Sequence, residues 1–309
     1  MTQIINNILI TGANGFVGRH LTKELADHGY SLFGLGGPDL PASFVSSFKQ
    51  YTSLNLLDAK SLSELDFKNI DAVIHLAGIA AVGPSYDQPM KYIDTNMGIE
   101  LNLFEAALSQ KAFPKFLIIS SGTLYSPNQK LPLNEESPII PNSPYALSKL
   151  GQENLAQYYS TRGFDCIIAR PFNHIGPGQG QGYIVPDLAL QVVSAIKEGK
   201  QTIRVGNLAA KRDYTDVRDI ARAYRLLLEN GHIGETYNVS SGKAVSGEDI
   251  LLGLMKAARV NLKPVVDPSK LRPLDNLEIY GSHDKITRDT GWSPQIDIHQ
   301  TLVDVINSF

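Results

Sequence analysis

The sequence predicts an α/β protein in which a doubly wound parallel sheet is followed by a smaller, helix-rich C-terminal lobe. Three observations lead there. In the N-terminal half, short continuously apolar runs alternate with longer stretches of helical periodicity, as in a parallel sheet covered by helices on both faces. The first apolar run passes directly into a turn with regularly spaced glycines. After Arg170 the alternation stops, and a Gly- and Pro-rich stretch leads into a region dominated by helical patterns.

Taken in order, the apolar runs at residues 4–11, 31–35, 51–56, 72–76, 116–120 and 166–169 read as strands. Helical patterns cover 16–28, 92–108 and 145–161. Residues 171–182 read as a loop at the active site, because Gly and Pro interrupt both periodicities there. Beyond it, helices near 187–198, 217–228, 247–258 and 301–306 mix with short strands. The chain is therefore divided into residues 1–170 and 171–309. Residues 212–240 are expected to return to the first unit, since Thr236–Val239 is suited to extend its sheet. There is no internal repeat and no low-complexity tract.

Composition excludes several classes. With 309 residues, 43% of them hydrophobic and 19% charged, the chain can bury a sizeable core. A net charge of -3 gives no reason to expect nucleic acid or an anionic membrane as partner. A single cysteine, Cys166, permits no internal disulfide and fits a reducing compartment. The N-terminus lacks a signal-peptide pattern, and no apolar run reaches the roughly 20 residues of a membrane helix. The expected location is the cytoplasm. No His-x-x-x-His, Cys pair or carboxylate cluster has metal spacing, so no metal is expected.

The first strand ends in Thr11-Gly12-Ala13-Asn14-Gly15-Phe16-Val17-Gly18. Gly12 and Gly15 allow a tight turn and close approach of backbone to a pyrophosphate, and Gly18 lets the helix pack near the sheet. Free amides at the helix start then face the phosphates. Standing between an apolar strand and an amphipathic helix, this is the signature of a Rossmann-type dinucleotide site. The second strand should end near Gly36 and Gly37, with neither an acid for the ribose hydroxyls nor an arginine for a 2′-phosphate. The choice between NAD and NADP stays open. Asn55 and Leu56 end the third strand; Asn55 either lines an adenine pocket or caps a turn.

Tyr145 and Lys149 are four residues apart at the start of a helix and share one face. An ammonium beside a phenol is expected to lower its pKa into a range useful for proton exchange with a substrate oxygen. Lys149 is also placed to hold a nicotinamide ribose.

The glycine pattern, His75-Leu76-Ala77, Asn96, Ser120-Ser121, Tyr145/Lys149 and Arg212-Asp213-Tyr214 occur in the order found in the extended short-chain dehydrogenase/reductase family, which the whole chain resembles. The resemblance implies that Ser121, Tyr145 and Lys149 are catalytic, with Ser121 holding the reacting sugar oxygen. Read from the residues alone, Ser121 and Thr123 can equally well satisfy loop backbone groups. The resemblance further implies cofactor contacts from Gly12, Asn14, Gly15, Phe16, Val17, Gly18, Asn55, Leu56, Leu76, Ala77, Gly78, Asn96, Tyr145, Lys149, Pro171 and Phe172. The resemblance also implies that Asn96 is the buried Asn that fixes the active-site strand, and His75 reads as a structural histidine. His174 reads as structural or as a substrate contact.

Two stretches narrow the likeness: Arg170-Pro171-Phe172-Asn173-His174-Ile175-Gly176-Pro177-Gly178-Gln179, and Gly206-Asn207-Leu208 with Lys211 to Asp219. With Asp267 to Pro273 they resemble the branch that reduces GDP-4-keto-6-deoxy-D-mannose to GDP-D-rhamnose. That branch implies Thr123, Asn173, Val185, Arg212 and Arg272 as substrate contacts, the two arginines neutralising a diphosphate. Arg212 can alternatively pair with Asp213 or Asp216. The alternatives in function are an NAD-dependent UDP-sugar 4-epimerase and a non-catalytic dinucleotide-binding sensor. A 4,6-dehydratase would need an acid pair where Gly122 and Thr123 stand. The resemblance also implies a homodimer joined by the helices at 92–108 and 145–161.

Overall fold

The structure, a computed structural model, describes residues 5–38, 40–126, 128–268 and 277–309. In chain order its strands are β1 (Asn7–Thr11), β2 (Ser31–Gly36), β3 (Gln50–Ser53), β4 (Ala72–His75), β5 (Lys115–Ile119), β6 (Cys166–Pro171), β7 (Asn173–Ile175), β8 (Thr202–Val205), β9 (Lys211–Asp216), β10 (Thr236–Val239), β11 (Ala244–Ser246), β12 (Lys263–Val266) and β13 (Glu278–Ile279). Its helices are α1 (Phe16–Asp27), α2 (Ala42–Val45), α3 (Ala59–Ser63), α4 (Val82–Ser85), α5 (Pro89–Ser109) and α6 (Pro144–Ser160). They continue with α7 (Ile184–Glu198), α8 (Val217–Asn230), α9 (Gly247–Ala257), α10 (Asp284–Thr290) and α11 (Ile298–Asn307).

Seven parallel strands form the main sheet in the order β3-β2-β1-β4-β5-β6-β10. Its inner strands are apolar on both sides because both sides are covered. Ile8, Ile10, Ala72, Ile74, Leu117 and Ile167 point into one core with α1 and α8. Leu9, Val73, Phe116, Ile118, Cys166 and Ile168 alternate into the other, against α5 and α6. This period of two on a doubly covered sheet produces the continuous apolar runs of the sequence. On the α5/α6 side Phe104 stacks on Tyr159 at 4.3 Å and lies 4.2 Å from Phe116, which fixes both helices on the sheet.

Strand order reverses between β1 and β4, so the crevice at their C-terminal ends is the place for a ligand. As expected, Thr236–Val239 extends the main sheet, Thr236 lying opposite Ile168. A second sheet joins β11, β9 and β13, with β7 also on β9. It borders a separate apolar cluster formed by α7, α9 and α11, with Val185, Val192, Leu254 and Leu302 at its centre.

Element ends shift for local reasons. The strand expected over 51–56 stops at Ser53, because the Asn55 side chain accepts the Leu57 N–H at 3.1 Å and turns the chain. The helix expected from residue 92 begins at Pro89, whose missing N–H is harmless at a first position. The last helix begins at Ile298, capped by the Asp297 side chain. Among the described residues no helix is long and apolar enough to cross a membrane.

Candidate active site

β1 turns at Gly12, whose φ is +67°, in the left-handed region. A Cβ on Gly12 would stand 2.9 Å from the Ala77 nitrogen, and one on Gly18 would stand 2.3 Å from the Gly12 carbonyl oxygen. Both contacts are with backbone, so neither position has room for a side chain. α1 starts after Gly15 with no side-chain cap. Its first-turn N–H groups therefore lack intrahelical acceptors and face the crevice, as a phosphate requires. The crevice measures about 570 Å³. Gly12, Asn14, Gly15, Asn55, Leu56, Leu76, Ala77 and Gly78 line it, as expected from the sequence. Gly36, Gly37, Pro38, Ser53, Leu54 and Ile99 line it as well. Glycine cradle, uncapped helix and crevice together fit a dinucleotide.

Asn96, Pro171 and Phe172, also expected at the cofactor, do not line this crevice. Asn96 is fully buried. Its Oδ1 accepts the Ile79 N–H at 2.8 Å, and its Nδ2 donates to Ile79 O and Ser148 Oγ. It fixes the loop after β4 and ties it to α6 without facing the crevice. Pro171 is a buried strand residue. The Phe172 ring packs on Tyr125 and Leu133, its N–H donates to Val239 O, and its carbonyl accepts from His174 Nδ1. Both support the loop that follows.

α6 is capped by Ser143, whose hydroxyl accepts the Ala146 N–H, with Pro144 in the first turn. Tyr145 and Lys149 thereby face the ends of β4 and β5, 8% and 7% exposed. Lys149 Nζ donates to Ile119 O and to Gln152 Oε1, each at 2.8 Å. That fixes the Gln152 amide, whose Nε2 then donates to His75 Nε2 at 3.1 Å. His75 carries its hydrogen on Nδ1 and gives it to Thr11 Oγ1 at 2.8 Å, which also accepts the Ala77 N–H. His75 is structural, as its strand-end position suggested; burial pushes its pKa down to about 3.

The tyrosine corrects one expectation. Burial pushes the Tyr145 phenol up to about 12, and Lys149 does not bring it down. The ammonium is held by Ile119 and Gln152 and lies 6.0 Å from the centre of the tyrosine ring. The Ser121 hydroxyl moderates the rise. Tyr92, edge-on at 6.5 Å, and Tyr183 both add to it. These two phenols were not picked out in the sequence. Lys149 itself is pushed down to about 8 by burial, against the raising influence of Glu100 and Glu153. A phenol raised in this way is suited to give a proton rather than to take one at neutral pH. Ser121 Oγ accepts from Thr123 N at 3.2 Å and Thr123 Oγ1 at 3.0 Å. Its own hydrogen remains for Tyr145 or a substrate oxygen.

Behind these groups Arg170 makes a bidentate pair with Glu153, at 2.8 and 2.7 Å, both nearly buried. Arg170 Nη1 also donates to the Tyr125 hydroxyl, which donates to Asn238 Oδ1 at 2.6 Å. One network so joins α6, β6, β10 and the segment after β5.

The expected substrate contacts separate. Thr123 and Asn173 are exposed. Neither of the acids considered for Arg212 is paired with it: Asp213 accepts from Ser241, Gly242 and Gly281, and Asp216 from Arg218 and Thr301. Val185 is fully buried in the α7/α9/α11 cluster, so its side chain presents nothing to a substrate. Its neighbours Tyr183 and Ile184 are exposed instead. Arg272 lies outside the described residues. His174 stacks on Phe16 at 6.2 Å and donates to Phe172 O, holding the loop after β6 against the start of α1.

Comparison with known proteins agrees with this geometry. Over its full length the chain is 36% identical to GDP-6-deoxy-D-mannose reductase of Pseudomonas aeruginosa, covering 98% of that protein. It is 28% identical to UDP-glucose 4-epimerase 2 of Oryza sativa subsp. japonica, with 98% of this chain and 81% of that one covered. Among solved structures, RMD from Pseudomonas aeruginosa complexed with NADPH superposes with a TM-score of 0.84 at 34% identity, covering 98% of each chain. UDP-glucose 4-epimerase from Bifidobacterium longum, in complex with NAD+ and UDP, superposes with a TM-score of 0.87 at 25% identity, again over 98% of each chain. The model of the NAD dependent epimerase/dehydratase family matches residues 8–240, most of the chain. The chain belongs to the NAD dependent epimerase/dehydratase family.

Proposed function

We propose that this protein is an NAD(P)H-dependent reductase of a nucleoside-diphosphate 4-keto-6-deoxy sugar, with GDP-4-keto-6-deoxy-D-mannose as substrate and GDP-D-rhamnose as product. The observation that carries this reading is the placement of Tyr145. It is a buried phenol, its pKa raised by that burial, beside a Ser121 hydroxyl with a hydrogen to give, and residues 121–125 hold no carboxylate. Such a site is equipped to deliver one proton to a forming alkoxide. It lacks the acid pair that would eliminate water. The 36% identity to a protein named as a reductase of this kind supports the same substrate class.

When bound, NAD(P)H supplies the hydride. Ser121 donates to the sugar O4 and holds it in line with Tyr145. Tyr145 Oη transfers its proton to O4 as the carbonyl becomes an alkoxide. The Lys149 ammonium, fixed by Ile119 and Gln152, would hold the nicotinamide ribose. Asn173 and Arg212 anchor the diphosphate, and binding energy remote from C4 fixes the reacting geometry. Residues 1–170 with 212–240 form the cofactor domain, and the remainder of 171–309 forms the substrate lobe. The protein works in the cytoplasm as a homodimer joined through α5 and α6. Exposed Met90 and Leu101 on α5, with Leu147 and Tyr158 on α6, supply its apolar face.

Purified protein is given GDP-4-keto-6-deoxy-D-mannose with reduced cofactor, and separately UDP-glucose or UDP-galactose with NAD. Oxidation of the cofactor only with the keto sugar supports the reductase. Interconversion of the UDP-hexoses without net oxidation replaces it with a 4-epimerase. Dinucleotide binding with no turnover on either substrate replaces it with a sensor.

A further inference from the structure

The end of β2, where an acid or arginine would meet the adenosine ribose, carries two glycines, and the space their side chains would take is filled by Asn14 and Tyr51. A Cβ on Gly36 would stand 2.4 Å from Asn14 Oδ1 and 2.6 Å from the Tyr51 hydroxyl. A Cβ on Gly37 would stand 2.8 Å from Asn14 Nδ2. The Tyr51 hydroxyl donates to Gly37 O at 2.7 Å and pins this backbone in place. The Asn14 carboxamide therefore occupies the space of the missing side chains. It lies on the wall of the cofactor crevice, together with Gly36, Gly37 and Ser53. Among the described residues neither of its amide atoms makes a hydrogen bond, while its backbone carbonyl accepts from Arg19 Nε at 3.0 Å. A carboxamide carries both donor and acceptor and no charge.

We propose that Asn14, reaching across from the glycine loop, is the residue that reads the adenosine ribose, and that its neutrality admits a 2′-hydroxyl and a 2′-phosphate alike. The proposal rests on dinucleotide binding in this crevice. Oδ1 accepts from a ribose hydroxyl of NADH; Nδ2 donates to a 2′-phosphate oxygen of NADPH. Because β2 ends in Gly36 and Gly37 and carries no acid there, nothing at this position repels the phosphate. Because Asn14 is uncharged, nothing there holds it as an arginine fork would.

The test is direct binding of NADH and NADPH to the whole protein, read by nicotinamide fluorescence and without a sugar substrate. The expected wild-type dissociation constants lie within about tenfold of each other. Asn14→Ala should weaken both by roughly 5- to 10-fold, the range of a lost neutral hydrogen bond. Asn14→Asp should retain NADH and weaken NADPH at least a further tenfold, by charge repulsion. Melting curves confirm that each variant is folded. Unchanged constants for both cofactors in Asn14→Ala would overturn the proposal, as would a wild-type preference above a hundredfold. So would loss of NADPH binding in Arg19→Ala but not in Asn14→Ala, since Arg19 would then be the reader. If the wild type binds neither cofactor, it is dinucleotide binding itself that fails.

Discussion

Replacing Tyr145 by Phe separates chemistry from structure more cleanly than any other substitution in this site. The ring is 8% exposed and packs edge-on against Tyr92, and phenylalanine keeps both the volume and that contact. Only the hydroxyl is lost. Ser121 still accepts two hydrogen bonds from Thr123, so no buried acceptor is stranded. The stability cost is that of one neutral hydrogen bond, about 1 kcal/mol. In a chain of 309 residues this moves the melting midpoint by roughly 1–2 °C. Residues 121–125, however, hold no carboxyl or imidazole group that could supply the proton needed at O4 in its place. General acids of this kind contribute about 10²- to 10⁴-fold, roughly 3–5 kcal/mol of barrier. Turnover of GDP-4-keto-6-deoxy-D-mannose is followed at the nicotinamide band, with cofactor affinity measured separately by fluorescence. The expected result is a fall in kcat of at least a hundredfold, with cofactor affinity within twofold and an almost unchanged melt. Turnover within threefold of wild type would refute the role of Tyr145. A large drop in melting temperature would refute the packing argument.

Lys149 should set an alkaline limit. Its folded-state pKa is depressed from 10.5 to about 8, so the ammonium is present below that pH and lost as pH rises through it. The kcat/KM for reduced cofactor, which reports the free enzyme, should fall above about pH 8; a plateau extending to pH 10 would contradict this. Glu153→Leu leaves Arg170 buried without its carboxylate and should cost about 3–5 kcal/mol in chemical denaturation. The double variant Glu153→Leu/Arg170→Met should regain part of that loss, and failure to regain any would show the pair is not the cause. Gly18→Ala places a Cβ 2.3 Å from Gly12 O and 2.6 Å from Ala13 O. Dinucleotide affinity should fall at least tenfold, and affinity within twofold of wild type would mean that this loop does not form the phosphate site.

Much of this was legible because it is local. The inner sheet strands are contiguous apolar runs, and Gly12, Gly15 and Gly18 carry their meaning in their spacing. Tyr145 and Lys149 share a helix face at any tertiary packing. What escaped depends on partners far apart in sequence. Gln152 joins His75 across 77 positions, and Tyr125 joins Asn238 across 113. A signal existed, since Lys149, Gln152 and Glu153 are polar on the buried face of α6, but periodicity does not say which strand end receives them. The same gap left open what the side chains of Val185, Asn96 and Phe172 face. Their positions in the chain are those of site residues, and only packing shows what their side chains face. The pKa of Tyr145 escaped for a related reason: four residues of helix bring Lys149 near, but Ile119 and Gln152 decide where its charge is directed.

The way the chain passes between its two apolar regions limits how the molecule can move. It leaves the main sheet after β6, returns with α8 and β10, leaves for β11 and α9, comes back with α10 beside β10, and ends with α11 on the other side. A clamshell joined by a single hinge closes by bending one connection. Here closure would have to bend several crossings at once, and Asp213 ties two of them together through Ser241, Gly242 and Gly281. Entry and exit of a sugar nucleotide should therefore proceed through local rearrangement of the glycine-rich chain between β7 and α7, where a Cβ on Gly178, Gly180 or Gly182 would meet open space. Rigid-body rotation of one half of the protein against the other is then the less available motion.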